Sequence, residues 1–359
     1  MTLNRVILTT GGTGGHIFPA LAVATELTLR NKGVEIMFMG GPGPEGDMAR
    51  KHGLRFLELP ASGIMGRGIP GIISGMGWLG TGMPKAIAAV WGFKPDAVIG
   101  FGGYAGFCPV VAAKILGIPT AIHEQNSVPG MANKVLGKMV KRIFLSFPDA
   151  LRVFPTHKTY LTGNPVRLDI IKAASKRRAR PEGKRVLILG GSQGARPIND
   201  AVIKALPSLM EAGVTLVHQA GKMDFNRVRA SYETAGVDPA QVYEFIEDMG
   251  TEYALCDLAI CRSGATTVFE IAAAGVPAIF VPFPQATHNH QTMNAKAMSD
   301  IGAARLLPQS ELTGESLATA TLDLLNTPEQ LTNMETAARE FAKVKAAADI
   351  ASGLEALTA

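Results

Sequence analysis

A short β-branched run that leads straight into a glycine-rich turn and then a helix occurs twice in this chain. Val6-Ile7-Leu8-Thr9-Thr10-Gly11-Gly12-Thr13-Gly14-Gly15 is matched by Val186-Leu187-Ile188-Leu189-Gly190-Gly191-Ser192-Gln193-Gly194. A continuous apolar strand has both faces covered, which is the habit of parallel sheets flanked by helices. The flanking sequence keeps to that habit. Val6–Thr10, Val34–Met39, Ala97–Phe101, Thr120–His123 and Arg142–Ser146 read as strands, with helices over Pro19–Arg30 and Pro109–Leu116. After the basic, proline-containing stretch Lys172 to Lys184 the pattern restarts. Arg185–Leu189, Thr215–Gln219, Leu258–Cys261 and Ala278–Val281 read as strands, Asn199–Glu211 and Thr266–Ala274 as helices, and Glu329 to Leu357 as a closing helix. Strand–helix alternation predicts an α/β protein with doubly wound parallel sheets. At roughly 100–200 residues per domain, 359 residues predict two of them. Ligands of such sheets bind at the carboxyl ends of the strands, so a cleft between the two domains is expected, with the crossing near Asn164-Pro165-Val166-Arg167.

Charge is divided unevenly. Residues 1–165 carry 16 Lys+Arg and 8 Asp+Glu, a net of +8; the remainder carries 19 and 22, a net of −3. The basic half suits an anionic counterpart: nucleic acid, an acidic substrate or anionic lipid. No nucleic-acid motif accompanies it, which disfavours the first. The 3 Cys (Cys108, Cys256, Cys261) are too few and wrongly spaced for a disulfide framework or a zinc finger, and read as small buried hydrophobes. The amino-terminal run is too short for a secretory signal. The uncharged stretch Gly68 to Pro84 contains six glycines, and prolines interrupt residues 271–295, so no transmembrane helix is expected. Ile69, Ile72, Ile73, Met76, Leu79 and Met83 recur at helical spacing, with Trp78 and Trp91 nearby and Arg67, Lys85 and Lys94 flanking. Periodicity alone makes this a core-facing helix; the tryptophans and basic flanks also suit a patch lying on a membrane.

Glycine loops at strand-to-helix turns aim backbone N–H groups and a helix dipole at anions. Neither loop ends in Lys-Ser/Thr, so neither is a P-loop, and neither fits G-x-G-x-x-G. Tight turning alone would explain the glycines; two equivalent loops with hydroxyls favour phosphate or sugar contact. Phe101-Gly102-Gly103-Tyr104-Ala105-Gly106 is a third such loop. His16 follows the first loop at a helix start. That place disfavours a second positive charge, so its imidazole is expected either to accept a proton or to bond the loop. Glu270 lies in the helix after Arg262-Ser263-Gly264-Ala265-Thr266-Thr267, where a carboxylate can accept both hydroxyls of a ribose. His288 and His290 lack acidic or thiol neighbours, and no Asp-x-Asp motif occurs, so no metal site is predicted.

Taken together, the motifs resemble those of the MurG family of bacterial N-acetylglucosaminyltransferases. The resemblance rests on Gly11-Gly12-Thr13-Gly14-Gly15-His16-Ile17-Phe18-Pro19, Gly102-Gly103-Tyr104, His123-Glu124-Gln125-Asn126 and Gly163-Asn164-Pro165-Val166-Arg167. It is completed by Gly190-Gly191-Ser192-Gln193-Gly194-Ala195, by Cys261-Arg262-Ser263-Gly264-Ala265 with Glu270, and by His290-Gln291 with Asn294. It implies a GT-B fold of two Rossmann-like domains: residues 1–164 facing acceptor and membrane, 165–340 binding the donor, and a helix at 341–359 packing back on the first. It implies inverting transfer of GlcNAc from UDP-GlcNAc to the C4 hydroxyl of undecaprenyl-pyrophosphoryl-MurNAc-pentapeptide (lipid I), giving lipid II. No cofactor is implied. The implied partners are the two substrates, the anionic cytoplasmic face of the inner membrane, where the protein would sit peripherally, and cell-wall synthesis proteins. His16 matches the proposed general base. Thr13, Gly14, Gly15, Asn126 and Gln291 match donor-sugar or diphosphate contacts, and Arg167 and Ser192 the nucleotide side. The backbone of Ile246 matches the reader of uracil; Ala265, Thr266, Thr267, Val268, Phe269 and Glu270 wrap diphosphate and ribose. Tyr104 and Glu124 are expected on the acceptor side.

Overall fold

The computed structural model describes residues 2–60, 68–175, 184–191 and 193–358, with the side chains of 68–76 and 78 left out. Ser192, Arg67 and the side chains of Ile69, Ile72, Ile73, Met76 and Trp78 therefore lie outside the described residues. The chain forms two compact units, Met1–Arg167 with Lys343–Ala359, and Leu168–Ala342.

The first unit contains β1 (Arg5–Thr9), α1 (Gly14–Arg30), β2 (Glu35–Gly40), α2 (Glu45–Lys51), β3 (Arg55–Glu58) and α3 (Gly68–Phe93). It continues with β4 (Ala97–Gly100), α4 (Phe107–Ile115), β5 (Thr120–Glu124), α5 (Met131–Leu136), β6 (Arg142–Leu145) and β7 (Thr159–Leu161). All pairings are parallel, in the order β3-β2-β1-β4-β5-β6-β7. The second unit contains α6 (Leu168–Ala174), β8 (Lys184–Leu189), α7 (Arg196–Glu211), β9 (Val214–Gln219), α8 (Phe225–Thr234), β10 (Val242–Tyr243) and α9 (Met249–Leu255). It closes with β11 (Leu258–Cys261), α10 (Ala265–Ala274), β12 (Ala278–Phe280), α11 (His290–Ser299), β13 (Ala304–Leu306), α12 (Gly314–Leu325) and α13 (Pro328–Phe341). Its order is β10-β9-β8-β11-β12-β13, again parallel. In each unit the winding reverses beside the first strand, between β1 and β4 and between β8 and β11. Those switch points are where α/β sheets bind ligands.

Two sequence expectations need correction. The first helix begins at Gly14 rather than Pro19; Thr13 is extended (φ −106°, ψ 167°) and caps it, so the last glycines of the loop are already helical. The closing helix is two helices, α13 and α14 (Ala346–Glu355), broken where Ala342 turns extended (φ −64°, ψ 126°). No proline or glycine marks that break. It coincides with the return of the chain to the first unit at Lys343, whose Cβ sits where a side chain on Gly163 would stand.

Once back, α14 packs on α1. Ile350, Ala351 and Leu354 are fully buried with Val6, Ile17 and Leu21. Arg30 ties the pair together, donating from Nη2 to the Ala348 carbonyl (2.7 Å), from Nη1 to Ser352 Oγ (3.0 Å) and Glu355 (3.1 Å), and from Nε to Glu26 (2.8 Å). The three cysteines are buried thiols, and burial pushes the Cys108 thiol up to about 11.

Two buried histidines stand near the carboxyl ends of β5 and β9. Burial pushes His123 down to about 4 and His218 down to about 3. His218 lies between Tyr232 Oη (3.1 Å from Nδ1) and Asn199 Oδ1 (3.0 Å from Nε2).

Leu354→Ala is expected to destabilise the first unit by about 2–5 kcal/mol and Leu354→Met by under about 1.5 kcal/mol. Denaturant unfolding followed by a probe in that unit checks this; equal midpoints for the two variants would refute the packing role. Stability also falls with acid. Below the unfolded histidine value of about 6.5, the unfolded chain binds protons that His123 and His218 refuse until about 4 and 3. Each therefore withdraws about 2 kcal/mol between pH 7 and pH 5, stability that is present above 6.5 and lost as pH falls. Replacing His218 with Gln should flatten that dependence in the second unit, read from unfolding midpoints at the two pH values.

Candidate active site

The first unit's switch point is built from two glycine loops pressed together. A Cβ on Gly103 (φ +75°) would collide with the Gly11 carbonyl, and one on Gly11 would lie 3.0 Å from Ala105 Cβ. Only glycine lets the β1 and β4 loops touch backbone to backbone. They border a cavity of about 390 Å³ lined by Gly12, Thr13, His16, Gly43, Glu45 and Tyr104 among others. Glu45, only 1% exposed, accepts the Gly12 N–H at Oε1 (2.9 Å) and so pins the loop. His16 N–H donates to the Thr13 carbonyl (3.0 Å), and its ring Nδ1 lies 2.9 Å from Gln125 Oε1. The Arg167 guanidinium lies 4.7 Å from the centroid of the Phe18 ring on α1.

Glu124 ends β5 and is 2% exposed. Its carboxylate accepts from Asn126 N (3.0 Å), Gly130 N (3.1 Å) and Asn133 Nδ2 (2.9 Å). Both oxygens are thus engaged by the chain itself, and Glu124 shapes the loop that carries half-buried Asn126. Tyr104, by contrast, lines the cavity.

The second unit repeats the device. A Cβ on Gly221 (φ +83°) would collide with the Gly194 nitrogen, so the loops after β8 and β9 touch through backbone. Gln219, at the end of β9, accepts the Ile246 N–H at Oε1 (2.9 Å). That leaves the Ile246 carbonyl, not its N–H, as the group able to meet a base. Across the switch point, α10 begins after extended Gly264 (φ −60°, ψ 144°). Thr266 and Thr267 are half-buried, whereas Val268 (0% exposed) and Phe269 (1% exposed) are core side chains, and the Val268 N–H already donates to the Gly264 carbonyl (3.0 Å). Those two positions hold the helix in place rather than offer polar groups. Glu270 is buried, with Tyr253 Oη 3.4 Å from its Oε2.

Arg262 braces the neighbouring loop. It donates to the carbonyls of Val281 and Pro282 (both 3.0 Å) and to Gln309 Oε1 (2.7 Å), and burial lowers it to about 10. Ser263 Oγ donates to the Gln291 carbonyl (2.8 Å), and Asn294 Nδ2 to the Ser263 carbonyl (3.2 Å). Gln291 Oε1 accepts the Phe283 N–H (3.0 Å), which commits its oxygen and leaves the amide nitrogen as its donor end. Just before α11, His288 and Asn289 both adopt left-handed backbone (φ +54° and +56°), strain of the kind that collects around binding sites. Among the described residues no cluster of His, Cys, Asp or Glu could hold a metal.

The structure thus gathers Thr13, His16 and Tyr104 around one cavity, and Ala265–Thr267, Glu270 and Gln291 around the second switch point. Sequence motifs did not single out Glu45, Gln125 or Gln219 for a role. The signal that finds the two glutamines is a polar residue at or just past the carboxyl end of a buried parallel strand.

Residues 6–145 match the glycosyltransferase family 28 N-terminal domain and residues 185–352 its C-terminal domain. A relative from Solidesulfovibrio magneticus is 50% identical, with 99% of each chain covered. One from Nitratidesulfovibrio vulgaris is 46% identical, covering 99% of this chain and 98% of its own. Both are named UDP-N-acetylglucosamine--N-acetylmuramyl-(pentapeptide) pyrophosphoryl-undecaprenol N-acetylglucosamine transferase. The crystal structure of MurG from Acinetobacter baumannii matches with a TM-score of 0.76 at 34% identity, over 98% of this chain and 99% of that one. With two parallel-sheet α/β domains of GT-B type and both family domains in order, the chain belongs to glycosyltransferase family 28, among the MurG enzymes.

Proposed function

We propose that this chain transfers GlcNAc from UDP-GlcNAc to the C4 hydroxyl of undecaprenyl-pyrophosphoryl-MurNAc-pentapeptide, inverting the anomeric carbon and giving lipid II. The observation that carries this reading is 46–50% identity along nearly the whole chain to transferases named for that reaction. The acceptor C4 oxygen attacks the anomeric carbon while the bond from that carbon to the β-phosphate oxygen breaks. The hydroxyl proton passes to His16, and UDP departs with the bonding pair. Charge growing on the β-phosphate is met by backbone N–H groups at the start of α10 and in the loop after β8, where helix dipoles point the same way. Glu270 accepts the ribose hydroxyls. The Ile246 carbonyl accepts the uracil N3–H, a reading supported by the engagement of its N–H with Gln219. The amide nitrogen of Gln291 donates to the donor sugar, with Thr13, Gly14, Gly15 and Asn126 as further sugar-facing groups and Arg167 and Ser192 on the nucleotide side. Tyr104 serves the acceptor directly and Glu124 through its loop.

A peripheral seat on the cytoplasmic face of the inner membrane fits the first unit. Among the described residues no helix is long and apolar enough to cross a membrane. Yet the neighbouring helices α3, α4 and α5 expose Trp91 (68%), Ile115, Met131 and Val135, interspersed with exposed Lys85, Lys94, Lys114 and Lys138. Apolar groups with lysines among them suit an anionic lipid surface, each lysine contributing about 1 kcal/mol there.

Transfer of labelled GlcNAc to a soluble lipid I analogue tests the activity, and no transfer by the purified protein overturns it. In the same assay His16→Ala is expected to lower kcat by about 10²–10⁴-fold with donor KM nearly unchanged. Glu270→Ala is expected to do the reverse, raising donor KM while kcat holds. Flotation with vesicles should be stronger for anionic than for neutral lipid and weaken with salt; equal flotation on both discredits the electrostatic part.

A further inference from the structure

His16 heads a directed chain of hydrogen bonds that runs into the core of the first unit. The chain has one consistent polarity. The Phe101 carbonyl can only accept, and Gln125 Nε2 lies 2.9 Å from it, which fixes the Gln125 amide with Nε2 inward and Oε1 outward. Oε1 can only accept, so His16 Nδ1, 2.9 Å away, must carry a proton. The second hydrogen of Nε2 points at His123 Nδ1, 3.0 Å away, which must then be unprotonated. His123 Nε2 therefore carries its proton and donates to the Gly163 carbonyl at 3.1 Å, with Ser146 Oγ at 3.3 Å. The opposite His123 tautomer would set N–H against N–H at one end and a lone pair against a carbonyl at the other. His123, Gln125 and Asn133 are all at most 2% exposed, and Asn133 Nδ2 holds the His123 carbonyl at 3.1 Å. The ring of Phe101 lies 5.6 Å from that of His123, centroid to centroid.

We propose that Gln125, held by His123 and Phe101, is the positioning residue that keeps His16 in the Nδ1–H tautomer, so that its Nε2 lone pair is the proton acceptor. This rests on the reading of His16 as the general base. An orienting third group behind a base is a recurrent need of such catalysis. Here that group is a neutral amide rather than a carboxylate. It orients the ring without drawing the proton off Nδ1, and it adds no negative charge to a site that binds anions. The burial that keeps His123 neutral well below pH 7 keeps its Nδ1 lone pair available to Gln125. The network reaches Gly163 and, through Ser146 Oγ (3.4 Å from Asn164 Oδ1), Asn164. The Gly-Asn-Pro-Val-Arg motif thereby fixes the far end of the relay.

The test is a cycle of His16→Ala, Gln125→Leu and the double variant, assayed for GlcNAc transfer with UDP-GlcNAc and a soluble lipid I analogue. Gln125→Leu is expected to lower kcat by about 10–100-fold, in the range of other orienting partners, with donor KM within about twofold. In the His16→Ala background the same change should cost nothing further, because its effect passes through His16. ¹⁵N resonances of the His16 ring should report a protonated Nδ1 in the parent and lose that signature in Gln125→Leu. Gln125→Glu is nearly isosteric and carries the test if the Leu variant does not fold: a carboxylate facing Nδ1–H favours the imidazolium, so the acidic limb of kcat should move to higher pH. An equal loss in both backgrounds, a change confined to KM, or an unmoved limb in Gln125→Glu overturns the proposal. Retention of kcat by His16→Ala overturns instead the reading of His16 as the base, so the two failures are distinguishable.

Discussion

Backbone touches backbone, without room for a Cβ, at the carboxyl ends of the central strands in both units. Gly103 against the Gly11 carbonyl and Gly221 against the Gly194 nitrogen are the two closest such approaches. The consequence is geometrical. When two loops meet through main chain alone, their remaining N–H groups and the helices that follow are brought within reach of a single small ligand. Side chains at those positions would separate the loops and disperse the dipoles. The glycines thus set the spacing, and everything more specific is arranged on that spacing by side chains anchored elsewhere: Glu45 from α2, Gln125 from the end of β5, Gln219 from the end of β9, Arg262 after β11.

Those anchors obey a second constraint. A polar group buried at a strand end costs free energy unless it is hydrogen-bonded, so buried polar residues there come in groups that bond one another. Glu124 with Asn126, Gly130 and Asn133 is one such set; His218 with Tyr232 and Asn199 is another. In the second, Asn199 goes on to donate to the Ala220 carbonyl (3.1 Å) and to Asp224 (2.8 Å). Hydrogen bonding from Arg227 holds the Asp224 carboxyl below its usual range, aided by that Asn199 contact. The set therefore locks the Gly221 turn from beneath. The acid sensitivity of the two buried histidines follows from burial itself, since an imidazolium at either place would be cut off from water.

Much of the architecture was legible because it follows from covered parallel strands. Val6–Leu8 and Val186–Leu189 are apolar without alternation, and such runs admit few folds. The edge strands were not legible. Arg55-Phe56-Leu57-Glu58 and Thr159-Tyr160-Leu161 are short and part exposed, and only their single neighbour makes them strands. The break between α13 and α14 was hidden for a similar reason, since Ala342-Lys343-Val344-Lys345 is acceptable helix and only the crossing of the chain between units undoes it. At the site, His16, Tyr104 and Glu270 could be picked out by their place beside glycine-containing loops, whereas Gln291 came only from the family resemblance. The core role of Val268 and Phe269 and the self-contained bonding of Glu124 could not, because which side of a helix or loop faces inward is decided by the partner it packs on.

Three glutamines share one logic that residue type alone does not reveal. An amide side chain has a donor end and an acceptor end that are nearly identical in shape, so its chemistry depends on which end the protein fixes. Gln125 is fixed by a carbonyl, which compels its oxygen toward His16. Gln291 is fixed at its oxygen by the Phe283 N–H, which leaves its nitrogen as the donor end, and Gln219 is occupied at its oxygen by Ile246. Each converts the fixed polarity of a main-chain group into a fixed polarity one side chain further out. A carboxylate at the same places could only accept and would add negative charge; a lysine could only donate. The amide transmits direction without charge. For a transferase whose donor and acceptor both carry phosphates, that neutrality lets main-chain groups fix the direction of polar side chains without adding charge.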